Sequence, residues 1–291
     1  MLWFLNPRGQ VKPDLTMETM SAVIIDGGVV HYEYLGRGKP IIFIHGWLGS
    51  WRYWMSTMGD LSDSYRTYAL DLWGFGDSDK LQNRYGLNEY MQLILAFMEE
   101  MGMARIPLFV GHALGAVIAL EIAATRPEIV ERLALISLPL DRQDIEARSL
   151  FNGKNILGSG LLKKPSEEYE PVTREMDKTD RQAIEFSLLS LNGLDVMSRL
   201  FTLRVPTLVI YGARDPVIAA PQEDNAPVLE TLAAQTRLVR AMVMPEARHF
   251  PMLEESNTFN RLLRDFLLLD LSDPERIHSL QFKEEWRRRM R

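Results

Sequence analysis

The sequence predicts an α/β domain built on a doubly wound, mostly parallel sheet. Three observations carry that prediction. The short runs Ile41 to Ile44, Ile106 to Val110, Leu133 to Ile136 and Thr207 to Ile210 are continuously apolar rather than alternating, as strands buried on both faces are. Stretches of helical periodicity separate the runs, which is the rhythm of strand–helix–strand units. Pro206 opens the last run, at a position where a missing N–H does little harm to a ladder.

The elements follow in order. Val23-Ile24-Ile25 and Val29-Val30-His31-Tyr32, parted by Asp26-Gly27-Gly28, read as a hairpin. After Ile44 comes His45-Gly46-Trp47-Leu48-Gly49-Ser50, then Trp51 and Trp54, whose spacing of three on a helix suits core packing. Leu70-Asp71-Leu72-Trp73-Gly74-Phe75-Gly76-Asp77-Ser78 is a Gly-rich loop, and Phe109 to Val117 contains Gly111-His112-Ala113-Leu114-Gly115. From Pro139 to Leu203 the strand rhythm stops. This segment begins polar, with Asn152-Gly153-Lys154 and Lys164-Pro165-Ser166, and turns helical from about Asp180 to Leu200. The resulting division is an N-terminal extension (1–20), a first core part (21–139), a small helical cap (140–203), a second core part (204–271) and a basic C-terminal tail (272–291).

Composition narrows the function classes. The chain has 291 residues and a formal net charge of −6, which argues against a general nucleic-acid surface with clustered Lys and Arg. The tail Trp286-Arg287-Arg288-Arg289-Met290-Arg291 is the exception and reads as a solvated terminus. No cysteine is present, so disulfides and thiolate metal sites are excluded. The histidines and acids do not fall at zinc-ligand spacings and no Gly-rich phosphate loop occurs, so no metal or cofactor is expected. Met1 to Leu5 is apolar but gives way to Asn6-Pro7-Arg8, short of a signal h-region or a membrane span. A cytoplasmic location is expected, with a small-molecule substrate or ligand as partner.

The stretch Gly111-His112-Ala113-Leu114-Gly115, between an apolar strand and an apolar helix, has the build of a nucleophile elbow with a methyl group at the nucleophile position. From about Gly27 to Leu271 the chain resembles the α/β-hydrolase superfamily, in the branch of small serine esterases, lactonases and carbon–carbon bond hydrolases. The resemblance implies an eight-stranded-type sheet with a helical cap over the site. It implies further that Ala113 occupies the nucleophile position. Val209-Ile210-Tyr211-Gly212-Ala213-Arg214-Asp215-Pro216 matches the strand and loop that carry the acid, Asp215. Val243-Met244-Pro245-Glu246-Ala247-Arg248-His249-Phe250 resembles the loop presenting the general base, His249. The backbone N–H groups of Trp47 and Leu114 are implied as the oxyanion hole, and the loop after Leu70 as a structural prop. Trp73 and Phe250 are candidate apolar walls for substrate.

Taken singly, His249 reads as an ordinary loop histidine and Asp215 as a turn former before Pro216. Their order after the elbow, nucleophile then acid then base, is the order this fold uses. His45 is expected to order its loop and His112 to hydrogen-bond within the core, neither with a catalytic role. Ser50 and Ser137, the nearest serines by topology, read as turn and strand-end hydroxyls bonding the backbone. With alanine at position 113, acyl transfer is shut off, since losing the nucleophile costs on the order of a million-fold in kcat. Three readings stay open: an engineered replacement of serine in a hydrolase of a small, largely apolar carbonyl substrate, a natural non-hydrolytic ligand-binding protein, or a cofactor-free lyase or oxygenase using His249 and Asp215 as general base. The scissile bond of an intact site would be an ester, lactone, amide or carbon–carbon bond.

Overall fold

Eight strands form one sheet in the order β1-β2-β4-β3-β5-β6-β7-β8. They are β1 (Ser21–Ile25), β2 (Gly28–Leu35), β3 (Lys39–Ile44), β4 (Tyr65–Leu70), β5 (Leu108–His112), β6 (Leu133–Ile136), β7 (Thr207–Gly212) and β8 (Val239–Met244). The computed structural model describes residues 21–47, 49–141, 145, 169–218, 236–270, 272–283 and 286. The 1–20 extension, Asn152-Gly153-Lys154, Lys164-Pro165-Ser166 and residues 287–291 of the tail lie outside them.

The first hairpin is antiparallel and β2 pairs antiparallel with β4, while every pairing from β4 across to β8 is parallel. The apolar runs are the interior of the sheet: every residue of β5, β6 and β7 is buried. The strand expected from Ile106 begins instead at Leu108 and runs on to His112, with Ile106 making an isolated bridge to Val130.

Helices flank the sheet. They are α1 (Met55–Leu61), α2 (Leu87–Glu100), α3 (Leu114–Thr125), α4 (Glu170–Met176), α5 (Arg181–Ser190), α6 (Val196–Thr202), α7 (Pro251–Glu254) and α8 (Ser256–Leu268). In α2, Tyr90, Leu93, Ile94, Phe97 and Met98 are the buried residues, a stripe at three- and four-residue spacing. In α3 every residue from Leu114 to Ala123 is buried, because α2 and α6 cover the sides that the sheet does not. The helical stretch expected from about Asp180 to Leu200 consists of two helices, α5 and α6. Gly193, at φ +79°, takes the left-handed turn between them that a side chain would oppose.

The strand order reverses at β3. From β3 the chain steps outward to β4, then crosses back over β3 to β5, so right-handed connections send the helices after β3 and β5 to opposite faces. In open α/β sheets such a switch point marks the crevice where ligands bind, outside the carboxyl ends of the strands. Ala113 follows β5, Asp215 follows β7 and His249 follows β8 at those ends.

Candidate active site

Ala113 sits at the junction of β5 and α3, fully buried, with φ 48° and ψ −109°. Such a backbone is disfavoured for any residue with a Cβ and costs about 1–3 kcal/mol. Neighbouring bonds hold it: its N–H donates to the Ile136 carbonyl at 2.8 Å, and its carbonyl accepts from Ala116 and Val117 at 3.0 and 3.2 Å. The flanking glycines permit the turn. A Cβ on Gly111 would meet the Gly115 carbonyl oxygen at 2.2 Å, and one on Gly115 would meet the Ile44 carbonyl oxygen at 2.2 Å. Strand, turn and helix thus approach backbone to backbone. Leu114, the first helical residue, has no intrahelical acceptor for its N–H; among the described residues neither that group nor the Trp47 N–H is hydrogen bonded.

Asp215 and His249 come from the loops after β7 and β8. Their side chains meet, with His249 Nδ1 at 2.9 Å from Asp215 Oδ2 and 3.0 Å from Oδ1. The carboxylate accepts, so Nδ1 carries the proton and Nε2 is left as the basic nitrogen. Asp215 Oδ1 also accepts the N–H groups of Val217 and Ile218 at 2.8 and 3.0 Å. Burial pushes this carboxyl up, but the His249 charge and hydrogen bond and the two amides outweigh it and hold it below the usual carboxylate range. The acid is ionised and fixed in direction.

The loop after β3 closes on the same place. A Cβ on Gly46 would lie 2.9 Å from the Ala113 Cβ, so the two turns touch. The Gly46 N–H donates to the Tyr53 hydroxyl at 2.6 Å. His45 orders this loop as expected: its Nδ1 lies 2.8 Å from the Gly46 carbonyl and its Nε2 accepts from the Leu72 N–H at 3.0 Å. Trp47 is buried and donates from its indole to Ser187 Oγ on α5 at 2.9 Å. Phe250 is buried, with its ring centroid 4.9 Å from that of His249. Trp73 turns elsewhere: its ring is the wall a Cβ on Gly28 would strike, and Arg84 lies over it at 5.7 Å.

Tyr53, Ser187, Glu254 and Tyr169 were not singled out in the sequence. Glu254 accepts the Tyr169 hydroxyl and the Arg248 N–H, both at 2.6 Å; burial raises its carboxyl above the usual range in spite of these bonds. No local motif marks such residues, because their partners are distant in the chain. Ser50 caps the turn at 51–54, accepting from the Arg52 N–H at 3.2 Å. Ser137 differs from expectation: its φ is 47°, it is fully buried, and its hydroxyl has no hydrogen-bond partner among the described residues.

Asp71 ties β2 to the loops after β3 and β4. Its Oδ1 accepts the Trp51 N–H at 2.8 Å, and its Oδ2 accepts from His31 Nδ1 and the Asp77 N–H, both at 2.9 Å. His31, Asp71 and Asp77 offer ligand atoms within 4.8 Å of one another. Those atoms are spent on the bonds just given and on Lys178, 2.7 Å from Asp77 Oδ1, so the cluster ties the 71–79 loop to the hairpin and to the segment beyond α4.

A family model described as alpha/beta hydrolase fold matches residues 39–156. Over 266 residues the chain is 27% identical to the dihydrolipoyllysine-residue acetyltransferase component of the acetoin cleaving system of Pseudomonas putida, covering 84% of this chain and 68% of that one. It is 22% identical over 261 residues to a pimeloyl-(acyl-carrier protein) methyl ester esterase of Aliivibrio fischeri, covering 82% and 97%. The crystal structure of the enol-lactonase from Burkholderia xenovorans superposes with a TM-score of 0.70 at 20% identity, covering 86% of this chain and all (100%) of that one. That last likeness is one of fold.

Proposed function

This chain belongs to the α/β-hydrolase fold superfamily, and on that premise we propose that its crevice is a serine-hydrolase-type site for a small, largely apolar carbonyl substrate, with Ala113 standing at the nucleophile position. The observation that carries this reading is the backbone of Ala113. A strained turn at φ 48° has no benefit for an alanine, yet it is kept beside a hydrogen-bonded His249–Asp215 pair. Esterase and lactonase relatives support an ester or lactone as the bond acted on.

With serine at 113, the hydroxyl oxygen would attack the carbonyl carbon while His249 Nε2 takes its proton. The carbonyl oxygen, now an anion, would receive the N–H groups of Trp47 and Leu114, the second strengthened by the positive end of α3. The proton passes from His249 to the leaving alcohol, and water then cleaves the acyl-enzyme by the same route. With alanine the first bond cannot form.

The test compares hydrolysis of a short-chain p-nitrophenyl ester and fluorophosphonate labelling in this chain and in Ala113→Ser. The substitution should raise turnover by several orders of magnitude, with label on residue 113. No gain would refute the hydrolase reading and favour either the ligand-binding reading or the one in which the intact His249–Asp215 pair acts as general base without a covalent step. In the latter case His249→Ala would abolish turnover.

A further inference from the structure

Building on the hydrolase reading of the site, we propose that Tyr53 and His112 are positioning residues that lock the loop after β3, the β5–α3 turn and the His249 loop into one frame. Three hydrogen bonds make the connection. The Gly46 N–H meets the Tyr53 hydroxyl at 2.6 Å, that hydroxyl meets His112 Nδ1 at 3.1 Å, and His112 Nε2 meets the His249 carbonyl oxygen at 2.7 Å.

The direction of every bond is forced from the two ends. A backbone N–H only donates, so the Tyr53 oxygen accepts from Gly46 and has its own proton to give. A backbone carbonyl only accepts, so His112 carries its proton on Nε2 and presents Nδ1 as a lone pair to Tyr53. For an uncharged ring one pattern satisfies all of it, His112 in the Nε2–H form. Burial first, then the neighbouring His249, keeps the His112 imidazole well below its ordinary range, in keeping with that form.

The groups at the ends adjoin the reacting positions. Gly46 precedes Trp47, His112 precedes Ala113, and the carbonyl belongs to His249 itself. His249 is thereby held twice, its ring by Asp215 and its backbone by His112, whose ring centroid lies 4.6 Å from its own. Tyr53 is fully enclosed, in edge contact with His112 and Trp54, so no water replaces its hydroxyl without a rearrangement. A displacement of about 1 Å in such a frame costs about 100-fold in rate.

Two measurements test this. In the unmutated chain, nitrogen-15 NMR should show His112 protonated at Nε2 and bare at Nδ1 from about pH 5 to about pH 9, together with a downfield proton for His249 Nδ1. In Tyr53→Phe that downfield proton should broaden or shift. In Ala113→Ser, adding Tyr53→Phe should lower kcat and fluorophosphonate labelling by about 10- to 100-fold while KM moves less than about twofold. Thr57→Val, which removes a buried bond to Asn260 of 2.8 Å away from this frame, should leave both unchanged. A His112 proton on Nδ1, or a Tyr53→Phe variant indistinguishable from Thr57→Val, would overturn the proposal. If Tyr53→Phe does not fold, the His112 proton position in the unmutated chain decides alone. An inactive Ala113→Ser with the expected NMR pattern would sink the hydrolase reading and leave the frame standing.

Discussion

Replacing Gly115 with alanine should push α3 off the sheet. The added Cβ would lie 2.2 Å from the Ile44 carbonyl oxygen and 2.7 Å from that of His45. Both are backbone atoms in or just after a central strand and cannot swing aside. The helix must retreat by about 1 Å, and over-packing of this kind costs about 1–3 kcal/mol. For a domain of this size that is a fall of roughly 3 to 10 °C in Tm, read by thermal unfolding and checked by the urea midpoint. The same retreat carries the Leu114 N–H away from the crevice, so fluorophosphonate labelling of Ala113→Ser should slow by about 10- to 100-fold when Gly115→Ala is added. Gly59→Ala is the control, since a Cβ there meets nothing within 4 Å. Inside α1 it should stabilise by up to about 1 kcal/mol through helix propensity. An unchanged Tm for Gly115→Ala would refute the close-approach argument.

Asp71 and His31 set opposite pH limits on stability. Burial lowers the His31 imidazole, but the Asp71 hydrogen bond and charge outweigh it and raise it overall. Its contribution is therefore complete below about pH 6.5 and is lost as pH rises through the raised folded value. For Asp71 burial is again the largest influence and raises the carboxyl, but the His31 hydrogen bond, the His45 and His31 charges and the Asp77 amide bring it below its ordinary value. That contribution is present above about pH 4 and lost as pH falls. Asp71→Asn should flatten both limbs of the urea midpoint plotted against pH and lower the His31 titration seen by NMR; an unmoved His31 would contradict the assignment. Ser137→Ala, which deletes a buried hydroxyl that lacks a partner among the described residues, should be neutral or stabilising by about 1 kcal/mol in urea unfolding. A loss above that would mean the hydroxyl is in use.

What could be read along the chain was whatever is written in short range. Continuous apolar runs gave the buried parallel strands because burial on both faces removes the alternation, and Gly111 and Gly115 marked the turn because only backbone can come so close. The positions of Ala113, Asp215 and His249 after β5, β7 and β8 were legible in short range too, through the resemblance of the segments around them. The break at Gly193 leaves no mark because a lone glycine barely disturbs helical periodicity, and the apolar pattern starts the strand at Ile106, two residues early, because apolar residues continue past the edge of the ladder.

The frame around the site was decided by packing. Tyr53 meets His112 across 59 positions, and His112 meets His249 across 137; no pattern of period two or 3.6 records such pairs. A hydrogen bond is fixed by where two distant backbones come to rest, and that depends on the strand order reversing at β3. The Trp73 ring, too, meets the hairpin through a contact with Gly28 that no local pattern records. Sequence supplied the chemical groups, and the stacking of β3, β5, β7 and β8 determined which of them meet.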